Sequence, residues 1–190
     1  MTPSKRFVIV SGLPGSGKTT LARRLAPAIG LPLIDKDDIL EQLFHSHGTG
    51  DADQRRTLSR ESDVILEAEA MASNGAVIAS FWRQPGMEPD SGTPTSWLSS
   101  LAVPVVEVHC ACPPALAASR FLKRRRHPGH LDDQQAFQTL FTKLESYVQL
   151  KSLEVGERIE VDTTNEPNLD DLVRDIQSAF ARWSSSRAHD

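Results

Sequence analysis

Residues Gly12-Leu13-Pro14-Gly15-Ser16-Gly17-Lys18-Thr19 spell G-x-x-x-x-G-K-T, and the chemistry of that spacing is anion binding by backbone. Glycines let successive N–H groups turn toward one anion with no Cβ in the way. A helix opening at the end of the loop adds unsatisfied donors and a partial positive charge. Lys18 is placed to reach the β- and γ-phosphates of a nucleoside triphosphate, and the Thr19 hydroxyl to sit on Mg²⁺. Gly12, Leu13, Pro14, Gly15, Ser16, Gly17, Lys18, Thr19 and Thr20 are the expected nucleotide-contacting residues, with Thr19 the expected metal ligand.

Two further patches carry chemistry. Asp35, Asp37 and Asp38 crowd the end of an apolar run. A carboxylate there can accept the proton of an attacking hydroxyl and aim its oxygen at the γ-phosphate. Asp37 is the first choice of base, because it opens a helix and faces the crevice; the alternative makes it a helix cap. Asp35, still on the strand, is either buried or on the other side. The second patch, Arg120 to His130, holds five cationic side chains within seven residues, followed by Pro128-Gly129. A mobile basic segment closing over a triphosphate would neutralise the transferring phosphoryl group and exclude water. Arg120 and Arg124 are i, i+4 neighbours on one helical face; Arg125 and Arg126 are expected to project elsewhere and matter less. A solvated charged face is the plainer reading of such a run.

The elements that position these groups are legible as alternating apolar runs and helical stretches, the pattern of a parallel sheet covered by helices. Strands are expected near 6–11, 32–35, 76–81, 104–110 and 158–162. A helix follows the glycine loop and stops near Pro27. Another runs from Asp37-Asp38 toward Phe44, with acidic residues at its positive end. Residues 55–73 place Leu58, Ile65, Ala68 and Ala72 on one stripe. Phe137, Leu140, Phe141, Leu144, Tyr147 and Val148 form another, and Leu169, Leu172, Val173, Ile176, Phe180 and Trp183 a third; their aromatics are expected core anchors. His45–Asp53 reads as a loop, as does Arg83–Thr95 with its three prolines and two glycines. Both lie on the ligand side of an open α/β sheet and are either substrate loops or long surface connections. Trp82, Arg83 and Trp97 are candidates to line an acceptor pocket.

With 190 residues, one α/β domain is expected over 1–183, its lid at about 114–132, followed by a flexible tail over 184–190. The formal charge of −4 argues against a general nucleic-acid-binding surface while leaving room for a local basic site. No apolar stretch approaches transmembrane length and the N-terminus lacks a signal-peptide core, so a cytoplasmic protein without a membrane partner is expected. Cys110 and Cys112, with His109 the only nearby candidate ligand, read as reduced thiols rather than a metal site.

Gly12–Thr20, Asp35–Ile39, Arg120-x-x-x-Arg124 and Val161-Asp162-Thr163 resemble the small P-loop kinases. The group is that of the gluconate-kinase-like, shikimate-kinase-like and chloramphenicol-phosphotransferase-like enzymes and AAA-type kinase-like proteins, with polynucleotide 5′-kinase domains nearby. The resemblance covers most of residues 5–182. It implies a three-layer α/β/α fold with a five-stranded, mainly parallel sheet and a helical lid. It implies transfer of the γ-phosphoryl group of ATP, with Mg²⁺, to a hydroxyl of a small molecule. Asp37 is then the general base, Arg120 and Arg124 the lid arginines, Lys18 the phosphate-binding lysine, and Asp162–Asn165 lie near adenine. The chain departs from the polynucleotide kinases at Leu40, where they place an arginine. After the third strand it reads Ala79-Ser80-Phe81-Trp82-Arg83, with no Walker-B aspartate. A polynucleotide 5′-hydroxyl kinase and a non-catalytic ATP-sensing or toxin-type module stand as alternatives; oligomeric state is not legible.

Overall fold

Phe7–Gly12 forms the central strand, β1, and its first four residues are wholly buried. The run is apolar on both sides because both of its faces are covered. Val8 and Val10 pack beneath α1 (Lys18–Ile29) and α6 (Leu169–Ser186). Phe7 and Ile9 face the other way, onto Leu66 and Ala70 of α3 (Ala52–Ala72) and onto Trp97 and Leu98. The computed structural model describes residues 5–132 and 135–186.

Four more strands flank β1: β2 (Leu33–Asp35), β3 (Ala76–Ala79), β4 (Val105–Ala111) and β5 (Glu157–Asp162). They run in the order β2-β3-β1-β4-β5, every pair parallel. The chain winds first to one side of β1 and then to the other, so the switch point, where open α/β sheets bind ligands, lies at its C-terminal end. The glycine loop begins there. The remaining helices are α2 (Lys36–His47), α4 (Pro114–Lys123) and α5 (Phe137–Val148). The α/β/α sandwich and its five parallel strands are as expected.

Several boundaries differ. The first helix passes through Pro27 and ends at Gly30, in the left-handed conformation at φ 68°. Proline there removes a hydrogen bond only from the last turn, and the helix is closed by Leu31 N–H donating to the Ala26 carbonyl and Gly30 N–H to that of Pro27. His45–His47, expected in a loop, continue α2. Their side chains bond back to helix carbonyls, His45 to Glu41 and Ser46 to Gln42, and Gly48 makes the stop. On α3 the buried face is Leu58, Ser62, Asp63, Leu66 and Ala70, whereas Ala68 and Ala72 are exposed. Two of its positions are polar, which rotates the true stripe away from the hydropathy pattern. On α5 only Leu140 and Leu144 are buried; Phe137 and Val148 are about half exposed. Residues 184–186 belong to α6 rather than to a tail, and the remainder of that expected tail, 187–190, lies outside the described residues. No described helix is long and apolar enough to cross a membrane.

Candidate active site

The glycine loop is folded around its own backbone. Gly12 sits at φ 133°, where a Cβ would lie 2.7 Å from the Cys110 carbonyl, and at Gly15, φ 81°, it would collide with the Ala117 carbonyl. Leu13 turns its side chain away from the loop, into a cluster with Ala117, Ala118, Leu140 and Leu144, which fixes the loop against α4 and α5. Its carbonyl accepts from Ser16 N–H at 3.0 Å and from Lys18 Nζ at 2.8 Å. Gly17 is the N-cap of α1, with no side-chain cap and no acidic residue in the first turn. The helix N-terminus is therefore left open to an anion. Ser16 Oγ is buried without a hydrogen-bond partner among the described residues. Burial pulls the Lys18 ammonium down to about 8, with Cys110 the main opposing influence; an incoming phosphate would reverse that shift.

The acidic patch divides its work. Asp35, at the end of β2, is the N-cap of α2, its Oδ1 accepting from Asp37 N–H at 3.0 Å. The capping alternative considered for Asp37 thus falls to its neighbour. Asp35 Oδ2 is buried and has no hydrogen-bond partner among the described residues. Burial and the nearby Asp37 charge push this carboxyl up to about 6, against the Thr19 hydroxyl. Asp37, one residue into the helix, reaches across to Arg126 Nη1 at 2.5 Å. Burial opposes its ionisation, but Arg126, His130 and Arg124 together hold it below the usual carboxylate range.

The basic segment is arranged differently from a continuous helix. Helix α4 stops at Lys123, and Arg124 takes an extended backbone. Arg120 donates to the Thr163 and Thr164 carbonyls, both at 2.7 Å, tying α4 to the loop after β5. Arg124 lies 4.0 Å over the Phe121 ring and donates to Asp132 at 3.2 Å. Arg126 grips Asp132 with two donors, at 2.9 and 3.0 Å, while its third meets Asp37. Arg126 does not project from another face of the helix, as the sequence leads one to expect, but meets Asp37: once the helix ends, i, i+4 geometry no longer governs where it points. Arg125 is exposed.

Lys18, Thr19, Thr20, Asp35, Asp37, Arg120 and Arg124 share one cavity of about 840 Å³. It is lined by ten Lys or Arg side chains against six Asp or Glu, a cationic site on a chain whose formal charge is −4. Arg126, Asp132 and Arg55, whose Nε donates to the His130 carbonyl at 3.0 Å, were not among the expected residues. Arg126 was visible within the basic run, but nothing in the sequence marks a lone aspartate in the following loop. Three candidates for the acceptor pocket are not brought to this cavity. Trp82 is core, with Nε1 donating to the Val10 carbonyl; Trp97 donates to Pro94; Arg83 donates to Ser91. The 83–95 segment nonetheless touches the cavity through Asp90, Ser91 and Gly92, held by Arg60 bonds to the Asp90 and Gly92 carbonyls.

A family model for an AAA domain, AAA_33, matches residues 7–145. The chain belongs to that family. This AAA-domain chain is 43% identical over 75 residues to a shikimate kinase from Corynebacterium jeikeium, covering 39% of this chain and 40% of that protein. A second, from Corynebacterium glutamicum, is 38% identical over 72 residues, 37% and 43% of the two chains. The AAA-domain chain thus aligns with about two fifths of the length of these curated relatives. Among solved structures, a candidate kinase from Chloroflexus aurantiacus J-10-fl superposes with TM-score 0.76 and 26% identity, over 94% of this chain and 99% of that one. A gluconokinase from Sinorhizobium meliloti 1021 shares the fold at TM-score 0.57 and 17% identity, over 97% of both chains.

Behind the glycine loop the AAA domain carries a buried polar network on the opposite face from α1. Ser11 donates to the buried Glu107 at 2.6 Å and lies 2.9 Å from His109 Nδ1. Burial, with Arg158 nearby, pulls the His109 imidazole down to about 4. Between that value and the ordinary 6.5 the unfolded chain binds a proton that the folded chain does not, so stability falls as pH drops through this window. His109→Gln is expected to remove this dependence, on the order of 3 kcal/mol at the acid end. Urea titrations of both proteins from pH 7 to 4 check it; parallel curves would contradict it.

Proposed function

We propose that this AAA-domain protein is an ATP-dependent phosphotransferase that moves the γ-phosphoryl group of ATP to a hydroxyl of a small molecule. The observation that carries the reading is the convergence of the open α1 N-terminus, Lys18, the Asp37 carboxylate and the lid arginines on one cavity. The loop amides and Lys18 hold the β- and γ-phosphates. Asp37 takes the acceptor proton as its oxygen attacks, and cations around the cavity meet the charge on the transferring group.

The residues also fit Mg²⁺, the usual companion of ATP: the Thr19 hydroxyl stands beside the buried Asp35 carboxylate. When bound, the ion would neutralise charge on the phosphates, with Thr19 and Asp35 the residues to hold it. Arg120, bridged to Thr163 and Thr164, serves nucleotide placement, whereas Arg124 and Arg126 face the transfer.

Arg126 has a second part. Its bond occupies Asp37 Oδ2. An acceptor hydroxyl that approaches this oxygen displaces it and frees a guanidinium, still steered by Asp132, toward the phosphoryl oxygens. The cation surplus favours an acceptor bearing a carboxylate or phosphate. Shikimate and gluconate, named for the relatives, are hydroxy acids of that kind.

Arg126→Ala is expected to slow single-turnover transfer by about 10²-fold, the scale of removing one preorganised donor. Arg125→Ala should stay within about twofold, as exposed charges do. Equal effects from both would remove the lid from the mechanism. The function itself is tested by ADP release across sugars, sugar acids, nucleosides, and aminoglycoside- and phenicol-type antibiotics. Stimulation by one class, abolished by Asp37→Asn, is expected. ATP binding with no stimulation by any acceptor would favour a sensing module, and a response to 5′-hydroxyl oligonucleotides alone would favour the polynucleotide reading.

A further inference from the structure

A second cavity, of about 540 Å³, lies on the far side of the glycine loop from Asp37. The transfer chemistry uses neither Ser11, Glu107 and His109 nor Arg158 and Glu160, and a stable core has no need of them: a carboxylate buried as deeply as Glu107 costs stability unless it is satisfied. Its volume falls within the range of small-molecule sites.

The polarity of its floor can be assigned. The Ser11 hydroxyl proton goes to Glu107 at 2.6 Å, so Ser11 Oγ can only accept from His109 Nδ1 at 2.9 Å. That fixes the tautomer: His109 Nε2 carries a lone pair, makes no hydrogen bond among the described residues, and belongs to a ring that lines the cavity. Beside it stand Glu160, an acceptor, and Arg158, a donor, 3.5 Å apart, with the Gln84 amide on the rim. The walls include the rings of Phe81, Trp82 and Tyr147. Acceptors and donors in one row between aromatic faces match a flat ring with N–H donors and ring acceptors along one edge. Carboxylates outnumber guanidinium groups here, with Glu107 beneath and Glu160 and Asp162 at the lining against Arg158, so a phosphate is repelled.

We propose that this cavity is a binding site for an uncharged nucleoside or free nucleobase, separate from the triphosphate site. It is coupled to that site by shared walls. Phe81 and Tyr147, with ring centroids 5.2 Å apart, line both cavities, and the Lys18 ammonium sits 5.9 Å over the Phe81 ring. Gly12 and Leu13 line the second cavity from behind the loop. An occupant that shifts Phe81 or Leu13 changes the setting of Lys18, which makes the site a regulator of nucleotide binding.

Equilibrium dialysis of the full chain against adenosine, guanosine and cytidine, with and without a saturating non-hydrolysable ATP analogue, tests the proposal. At least one nucleoside is expected to bind and to stay bound when the analogue saturates. His109→Phe, which keeps the ring and removes the lone pair, should weaken it about tenfold, the scale of one net hydrogen bond, with the affinity for the analogue unchanged. Glu160→Gln, at an exposed position, gives the same reading if His109→Phe does not fold, with weakening of several-fold. The proposal is overturned if none of the three binds, if the analogue displaces them, or if a folded variant binds as tightly as the wild type.

Discussion

Lys18→Ala is expected to lower phosphoryl transfer by about 10³-fold, the upper scale for one preorganised electrostatic group, while the protein still folds. The ammonium lies in the loop with its only described hydrogen bond to the Leu13 carbonyl, 2.8 Å away. It is partly desolvated, as its lowered pKa of about 8 records, and that cost is carried by the fold for the sake of an anion. Removing it leaves Leu13 held through its side chain and through Ser16, so the loop keeps its shape. The melting temperature should hold steady or rise, because a charge disfavoured by burial has gone. Single-turnover transfer and a thermal melt on the same preparation make the comparison. A folded variant with wild-type transfer would remove Lys18, and with it the assigned phosphate site.

Asp37→Asn is expected to reduce turnover by about 10²–10⁴-fold, the range of general acid–base catalysis, with nucleotide affinity close to normal. The substitution keeps the shape but leaves no base at neutral pH. The start of α2 should survive it, because the cap is Asp35, and Arg126 retains both bonds to Asp132. A small change in melting temperature is therefore part of the expected result. Asp35→Ala should behave in the opposite way, losing about 1 kcal/mol of stability with its cap. If Asp37→Asn leaves turnover within a few-fold of the wild type, the base lies elsewhere, and Asp35, with its buried free oxygen and raised pKa of about 6, is the next group to test.

What could be read from the chain alone follows from how local each signal is. The G-x-x-x-x-G-K-T loop and the buried runs of β1, β3 and β4 are written in consecutive residues, and the structure places them within about two positions of where the pattern does. Helix ends were less legible. Pro27 reads as a stop, yet a proline in the last turn costs little, and Gly30 ends the helix. The buried face of α3 was misplaced because Ser62 and Asp63 belong to it. Asp63 is buried while paired with Arg60, three residues before it on the same helix, and with Lys36 of α2, and the pairing with α2 leaves no periodic trace.

The site followed the same division. Lys18 is legible from the spacing of the glycine loop, and Asp37 from the strand end beside it. Which lid arginine meets Asp37 depended on where α4 stops and on Asp132, six residues beyond Arg126 in a segment with no repeating pattern. Trp82 and Trp97 illustrate the converse: two large aromatics flanking a proline-rich stretch read as walls of the transfer cavity, but neither reaches it, and their indole N–H groups donate to backbone carbonyls.

The central claim is that this chain makes a phosphate ester. Phosphorus NMR of wild-type protein incubated with ATP, Mg²⁺ and an acceptor that stimulates ADP release reads the product directly. A new phosphomonoester resonance, rising in step with ADP and absent with Asp37→Asn, is the predicted result. ADP accumulating with inorganic phosphate alone, at the same rate whether or not an acceptor is present, would contradict it.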